Sequence, residues 1–183
     1  GVGKSTLIDL MLGLINPIKG EIILDGVNIN SNIRNYQNIL AYVPQNIYLI
    51  DDSVKNNIIF GKKLNASDDK FLKEIIEKVQ LSKFIDNLDD GIETQIGERG
   101  IKISGGERQR IAIARALYRK PKILFFDEAT SSLDNDTENK LIDSIRALKG
   151  ELTIVMVAHR ISSLRICDQI YEIKNKNINK TLN

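Results

Sequence analysis

Residues 122–134 read KILFFDEATSSLD, in which four successive apolar residues run straight into the acidic pair Asp127 and Glu128. A short, unbroken apolar run predicts a strand covered on both faces of a sheet, since a half-buried strand would alternate. An acidic pair by itself also suits a solvated turn or a helix start. At the carboxyl end of a buried strand it reads differently, because ligands of open α/β sheets sit at those ends. LTIVMVAH (152–159) and DQIYEI (168–173) repeat the apolar pattern, and the spacing predicts helices over 107–118, 135–148 and 161–166 between and around them. Strands alternating with helices predict an α/β fold with a mainly parallel sheet.

Upstream, GVGKSTLIDLMLGL (1–14) is a glycine turn followed by a helix whose apolar positions Leu7, Ile8, Met11, Leu12 and Ile15 recur every three or four residues, with Pro17 and Gly20 as its stop. Asp25-Gly26 between short extended segments predicts a small antiparallel hairpin. ILAYVPQ (39–45) is a strand halted by Pro44. From Ser53 to Gly100 the segments are polar-faced and helical in period, with Ser53 and Ser67 as N-caps and no buried strand among them. The domain division is therefore one unit over 1–183, with a core of 1–52 and 101–183 and an inserted helical lobe over 53–100. The last ten residues, KNKNINKTLN, are polar and are expected to fray.

Bulk properties narrow the function. A chain of 183 residues supports one core. Hydrophobic residues at 42% and charged residues at 27% describe an ordinary globular domain. A net charge of +2, without a local Lys/Arg cluster, argues against a nucleic-acid partner. The single cysteine, Cys167, excludes an internal disulfide framework and suits a reducing compartment. No apolar run is long enough to span a bilayer, and no signal-peptide pattern opens the chain. Gly1 opens the chain in mid-motif, from which a fragment of a longer polypeptide is expected. An isolated fragment lacking a strand and the first motif glycine is expected to lose stability and activity.

GVGKST matches the second half of the P-loop pattern, though half a motif also suits an ordinary glycine-rich helix start. Read as a P-loop, the leading N–H groups of Gly1, Val2, Gly3, Lys4, Ser5 and Thr6 surround phosphates, the Lys4 ammonium reaches the β and γ groups, and the Ser5 hydroxyl coordinates Mg²⁺. Asp127 then holds the metal, and Glu128 acts as general base on a water. A lone histidine is most often structural, but His159 stands at a strand end facing the same crevice, where it can donate to a γ-phosphate. Gln45 occupies an equivalent strand end and can bind the ion or the water. A second glycine device, ISGGERQR (103–110), sets Ser104, Gly105 and Gly106 before a helix-compatible run, placing bare N–H groups beside an anion without a lysine of its own.

Taken in order, the half P-loop, Gln45, ISGGERQR, ILFFDEATSSLD and His159 resemble the nucleotide-binding ATPase domain of ABC transporters, a P-loop NTPase fold, over nearly the whole chain. The resemblance implies ATP and Mg²⁺ as cofactors. It also implies that ISGGERQR is the family's signature motif, contacting the ATP held by the P-loop of a second such domain in a head-to-tail dimer. Ile103 and Glu107 depart from the family's usual leucine and glutamine. The added carboxylate makes Glu107 a less secure phosphate contact than Ser104 or Gly106. Glu98 and Arg99 in GERG resemble exporter-type domains, although the pair also reads as a surface ion pair. The stretch around Tyr48 to Ile50 likewise resembles exporters, which makes these residues candidates for packing against a membrane subunit, and SSLD, ending in Asp134, resembles the family's segment that communicates between the two ATP sites. The implied setting is the cytoplasmic face of the membrane, with a transmembrane domain fused ahead. The alternatives are a non-transport ABC-type ATPase of DNA repair or translation, disfavoured by the absence of sustained heptads, and an importer subunit, disfavoured by GERG.

Overall fold

A computed structural model describes residues 3–61, 68–97, 103–128, 133–158, 160–174 and 177–181. Helix α1 (Lys4–Met11) is followed by the two-residue strands β1 (Ile23–Leu24) and β2 (Val27–Asn28), paired antiparallel. Asp25 and Gly26 between them both adopt positive φ, 49° and 81°, the turn geometry this dipeptide predicts. Helix α2 (Ile33–Asn38) and strand β3 (Leu40–Val43) come next, and β3 ends before Pro44 as expected.

The apolar period of α1 predicts a helix reaching Ile15, but it stops at Met11. A Schellman motif closes it at Gly13: the Leu14 N–H donates to the Asp9 carbonyl (2.9 Å) and the Gly13 N–H to the Leu10 carbonyl (3.0 Å). From α2, the Tyr36 hydroxyl donates to the Met11 carbonyl, and the Gln37 amide donates to the carbonyls of Leu12 and Gly13. The helix end is thus satisfied before Pro17 or Gly20 is reached.

Strand β4 (Asp52–Ser53), helices α3 (Val54–Ile59), α4 (Asp68–Lys78) and α5 (Ser82–Asp86), and strand β5 (Gln95–Ile96) form the next stretch. Ser53 caps α3 by accepting from the Asn56 N–H (3.1 Å); Ser67 lies outside the described residues. β5 corrects the expectation of no buried strand here. Its residues pair antiparallel with β4, and Ile96 is buried. Two residues are too few to display a strand period, and their ladder draws the two ends of the helical stretch together.

Helix α6 (Gly105–Tyr118), strand β6 (Ile123–Asp127), helix α7 (Asn135–Arg146), strand β7 (Thr153–Val157), a 3-10 helix over Ile161–Ile166, and strands β8 (Ile170–Lys174) and β9 (Asn177–Thr181) complete the order. β3, β6 and β7 form a parallel sheet with β6 in the centre. Leu124 and Phe126 point into a cluster with Ile58, Ile75, Ile111 and Leu141, while Ile123 and Phe125 pack on the opposite face with Ile8, Tyr36 and Leu40. That two-sided burial is why all four residues of the run are apolar. Each such side chain contributes about 1.5–3 kcal/mol on burial.

The remaining expectations need correction. β7 is only partly covered, because among the described residues it lies at the sheet edge. β8 does not join the parallel sheet; it pairs antiparallel with β9, and both are largely exposed. The segment expected to fray therefore supplies a strand through Thr181. α7 ends at Arg146 rather than Leu148, and residues 161–166 wind as a 3-10 helix.

α6 also suspends the exposed segment around Tyr48. The Arg115 guanidinium donates to the Tyr48 carbonyl (3.0 Å), to the Asn57 carbonyl (2.8 Å) and to the Asn57 side-chain oxygen (3.0 Å). The fully buried Asn57 amide donates in turn to the carbonyls of Ile50, Asp52 and Ser53. Burial lowers the pKa of Arg115 from the ordinary arginine value, yet a guanidinium remains charged throughout the working range. Among the described residues no helix is long and apolar enough to cross a membrane.

Candidate active site at the strand ends

Gly3 precedes α1 in the left-handed region (φ 95°, ψ 11°), a conformation that favours glycine, and offers the helix no side-chain cap. The Leu7 N–H bonds to the Gly3 carbonyl (3.0 Å). The leading N–H groups of a helix have no intrahelical partner, and here they belong to Lys4, Ser5 and Thr6. Ser5 and Thr6 are exposed, so their hydroxyls face solvent at the positive end of α1.

Three expected residues meet directly. The Lys4 ammonium lies 3.4 Å from one Glu128 carboxylate oxygen, and the Gln45 side-chain amide donates to the other at 2.9 Å. Both ion-pair partners are largely buried, with side-chain exposures of 22% and 14%. Glu128 itself sits at φ 49°, which strains a residue with a Cβ by about 1–3 kcal/mol. The Glu128 N–H donates to the Val157 carbonyl (2.8 Å), tying the ends of β6 and β7 together two residues before His159. Strain of this kind, held by the neighbouring strand, accumulates at functional sites.

Asp127 acquires a partner that sequence reasoning missed. The Tyr42 hydroxyl, from β3, donates to the Asp127 carboxylate at 3.0 Å. Burial, that hydrogen bond, and the negative charges of Asp127 and Asp9 push the phenol pKa up to about 12. Tyr42 therefore remains a donor throughout the neutral range. Nothing in ILAYVPQ marks the tyrosine, because the contact depends on the pairing of β3 with β6.

Ser104 to Glu107 gather at the N-terminus of α6. Ser104 accepts from the Glu107 N–H (3.2 Å), and the Glu107 carboxylate accepts from both the N–H and the hydroxyl of Ser104 (each 2.7 Å). This is a capping box, and the S-x-x-E spacing carries its signal. The paired glycines are explained by packing. A Cβ at Gly105 would come within 3.3 Å of the Leu133 side chain, and one at Gly106 within 2.4 Å of the Thr137 methyl. Asp134 caps α7 by accepting from the N–H groups of Asp136 and Thr137, and its side-chain bond to Thr137 lowers its pKa and restrains that methyl.

One expectation follows for stability. Gly106→Ala gains up to about 1 kcal/mol of helix propensity but forces an overpacking cost of about 1–3 kcal/mol, so a net loss is expected in thermal unfolding. Thr137→Ser removes the obstructing methyl and should restore the loss. A Gly106→Ala protein as stable as wild type would contradict the close approach.

Gly1, Val2, Glu98, Arg99 and His159 lie outside the described residues. Among the described residues no cluster of three or more His, Cys, Asp or Glu side chains forms a self-sufficient metal site.

A family model described as ABC transporter matches residues 1–131. A putative export ATP-binding/permease protein of Rickettsia typhi (strain ATCC VR-144 / Wilmington) is 45% identical over 174 residues, covering 94% of this chain and 30% of the relative. An ATP-dependent lipid A-core flippase of Francisella novicida is 41% identical over 171 residues, covering 93% of this chain and 29% of the relative. Among solved structures, a bacterial Atm1-family ABC exporter with ATP bound superposes with a TM-score of 0.83 at 35% identity, over 96% of this chain and 31% of that one. The chain thus spans about 30% of the length of these relatives. With the lysine, the glutamine and the acidic pair converging at the sheet's carboxyl edge, and a family model matching most of its length, the chain belongs to the ABC transporter family as its nucleotide-binding ATPase domain.

Proposed function

We propose that this domain binds Mg²⁺-ATP at the start of α1, hydrolyses it with Glu128, and does so at the interface of two copies packed head to tail. The 3.4 Å approach of Lys4 to Glu128 carries the reading, because a phosphate contacted by that ammonium lies beside that carboxylate. The N–H groups from Gly1 to Thr6 would cradle the phosphates. The candidate cation ligands are the Ser5 hydroxyl, the Gln45 side-chain oxygen and the Asp127 carboxylate. These are hard oxygen donors with a single carboxylate, which suits Mg²⁺ completed by phosphate oxygens and water. When bound, the cation would neutralise charge on the phosphates.

Glu128 would accept a proton from the attacking water while Gln45 orients its carboxylate, and His159 would donate to the terminal phosphate. Ser104, Gly105 and Gly106 would offer a hydroxyl and N–H groups to the nucleotide of the facing copy. Glu107 would shape that offering through its capping box and border the same phosphates. In the longer polypeptide that the relatives suggest, a membrane domain fused ahead would place this one at the cytoplasmic face. The exposed Tyr48 segment, hung from α6 by Arg115, would receive its helices, so that closing and opening of the ATP interface drives export.

ATP affinity of the full-length protein tests the assignment. A charged hydrogen bond is worth about 1.5–3 kcal/mol, so Lys4→Ala should weaken binding by about 10- to 150-fold. Unchanged affinity would remove Lys4 from the site.

A further inference from the structure

Outside the residues assigned above, a buried carboxylate links two segments of the site. Glu138 lies on the first turn of α7, one turn beyond the capping residue Asp134, and is only 6% exposed. Its two oxygens are held from across the fold: Arg160 donates to one at 2.8 Å, and the hydroxyl of the fully buried Ser163 donates to the other through a short bond. Arg160 immediately follows His159 in the chain, and Ser163 lies within the 3-10 helix that packs on α7. Beside Glu138 on α7, Thr137 is the residue against which Gly106 packs.

A buried carboxylate is tolerated only when its charge and lone pairs are satisfied, so these partners hold a fixed geometry. We propose that Glu138 is a positioning residue for hydrolysis: through Arg160 and Ser163 it fixes the segment that follows His159 against the first turn of α7, in register with Asp134 and the glycines of α6. Neither Glu138 nor Arg160 needs to touch nucleotide. The cradle at α1 lies on other elements, so loss of this link is expected to slow turnover more than it weakens ATP capture. The inference rests on the ATPase reading above.

The test uses full-length protein and separates binding from turnover. Glu138→Gln and Arg160→Met should each lower kcat for ATP by at least fivefold, with the Kd of ATP staying within twofold of wild type. Because both changes break one link, the double variant should be no slower than the slower single variant. Arg160→Lys, which keeps the cation, should recover part of the rate. Since Arg160 is partly exposed (44% of its side chain), its variants decide the matter even where Glu138→Gln fails to fold. Unchanged kcat in Arg160→Met, or losses that multiply in the double variant, would overturn the link. Wild-type protein that hydrolyses no ATP would instead overturn the underlying assignment, and the two failures are distinguishable.

Discussion

Glu128→Gln is expected to lower steady-state ATP turnover by about 10²- to 10⁴-fold, the usual contribution of a positioned general base. The substitution preserves shape and leaves an amide able to bond to Gln45, so the 2.9 Å contact at this site has a substitute. What it removes is the negative charge that faces Lys4 at 3.4 Å and that is proposed to accept the water's proton. Freed from that carboxylate, the Lys4 ammonium has more of its field available to phosphate, and ATP affinity should be equal to or tighter than that of wild type. Phosphate release and nucleotide affinity, measured on the same full-length preparation, give the two halves of the result. Turnover within tenfold of wild type would reject Glu128 as the base. Loss of affinity in step with turnover would place it in binding instead.

The second large effect is expected for Ser104→Arg. Ser104 is exposed and caps α6, and the reading gives its hydroxyl to the nucleotide of the facing copy. An arginine there obstructs the approach of that copy and also removes a cap worth about 0.5–2 kcal/mol. Ser104→Asp separates the two consequences, since aspartate still caps the helix but brings negative charge toward phosphate. Both variants should bind ATP at the α1 site with near wild-type affinity. Neither should retain nucleotide through rapid gel filtration, because retention of a nucleotide requires its α1 cradle to close against an intact facing segment. Retention at wild-type levels in Ser104→Arg would end the trans role of this segment.

The parts of this structure that can be read from sequence are those in which side-chain burial writes the pattern. ILFF is apolar at every position because β6 is covered on both faces, and the acidic residues after it mark the sheet edge where the site assembles. Asp25-Gly26 is legible because the turn demands its own chemistry. The β8–β9 hairpin is not, since Asn177–Thr181 is exposed at every residue and its pairing rests on backbone bonds that leave no apolar period. The early end of α1 is hidden for the opposite reason: apolar residues continue past Met11, and only the closure at Gly13 overrides them. Within the site, Lys4, Gln45 and Glu128 announce themselves by standing at element ends. Tyr42 and Glu138 do not, because a hydroxyl inside a strand and a glutamate on a helix acquire meaning only when β3 meets β6 and α7 meets the 3-10 helix.

The central claim is that one nucleotide is held by the α1 cradle of one copy and the Ser104 segment of another. Two full-length variants test it by mixing, both carrying Glu128→Gln to prevent turnover, one with Lys4→Ala and the other with Ser104→Arg. Each alone should retain no nucleotide, since every interface then lacks either its cradle or its facing segment. Mixed copies form one interface with both defects and one with neither, so about one ATP should be retained per mixed pair. No retention above that of the separate variants would contradict the account, because it would mean that both devices serve a nucleotide within a single chain.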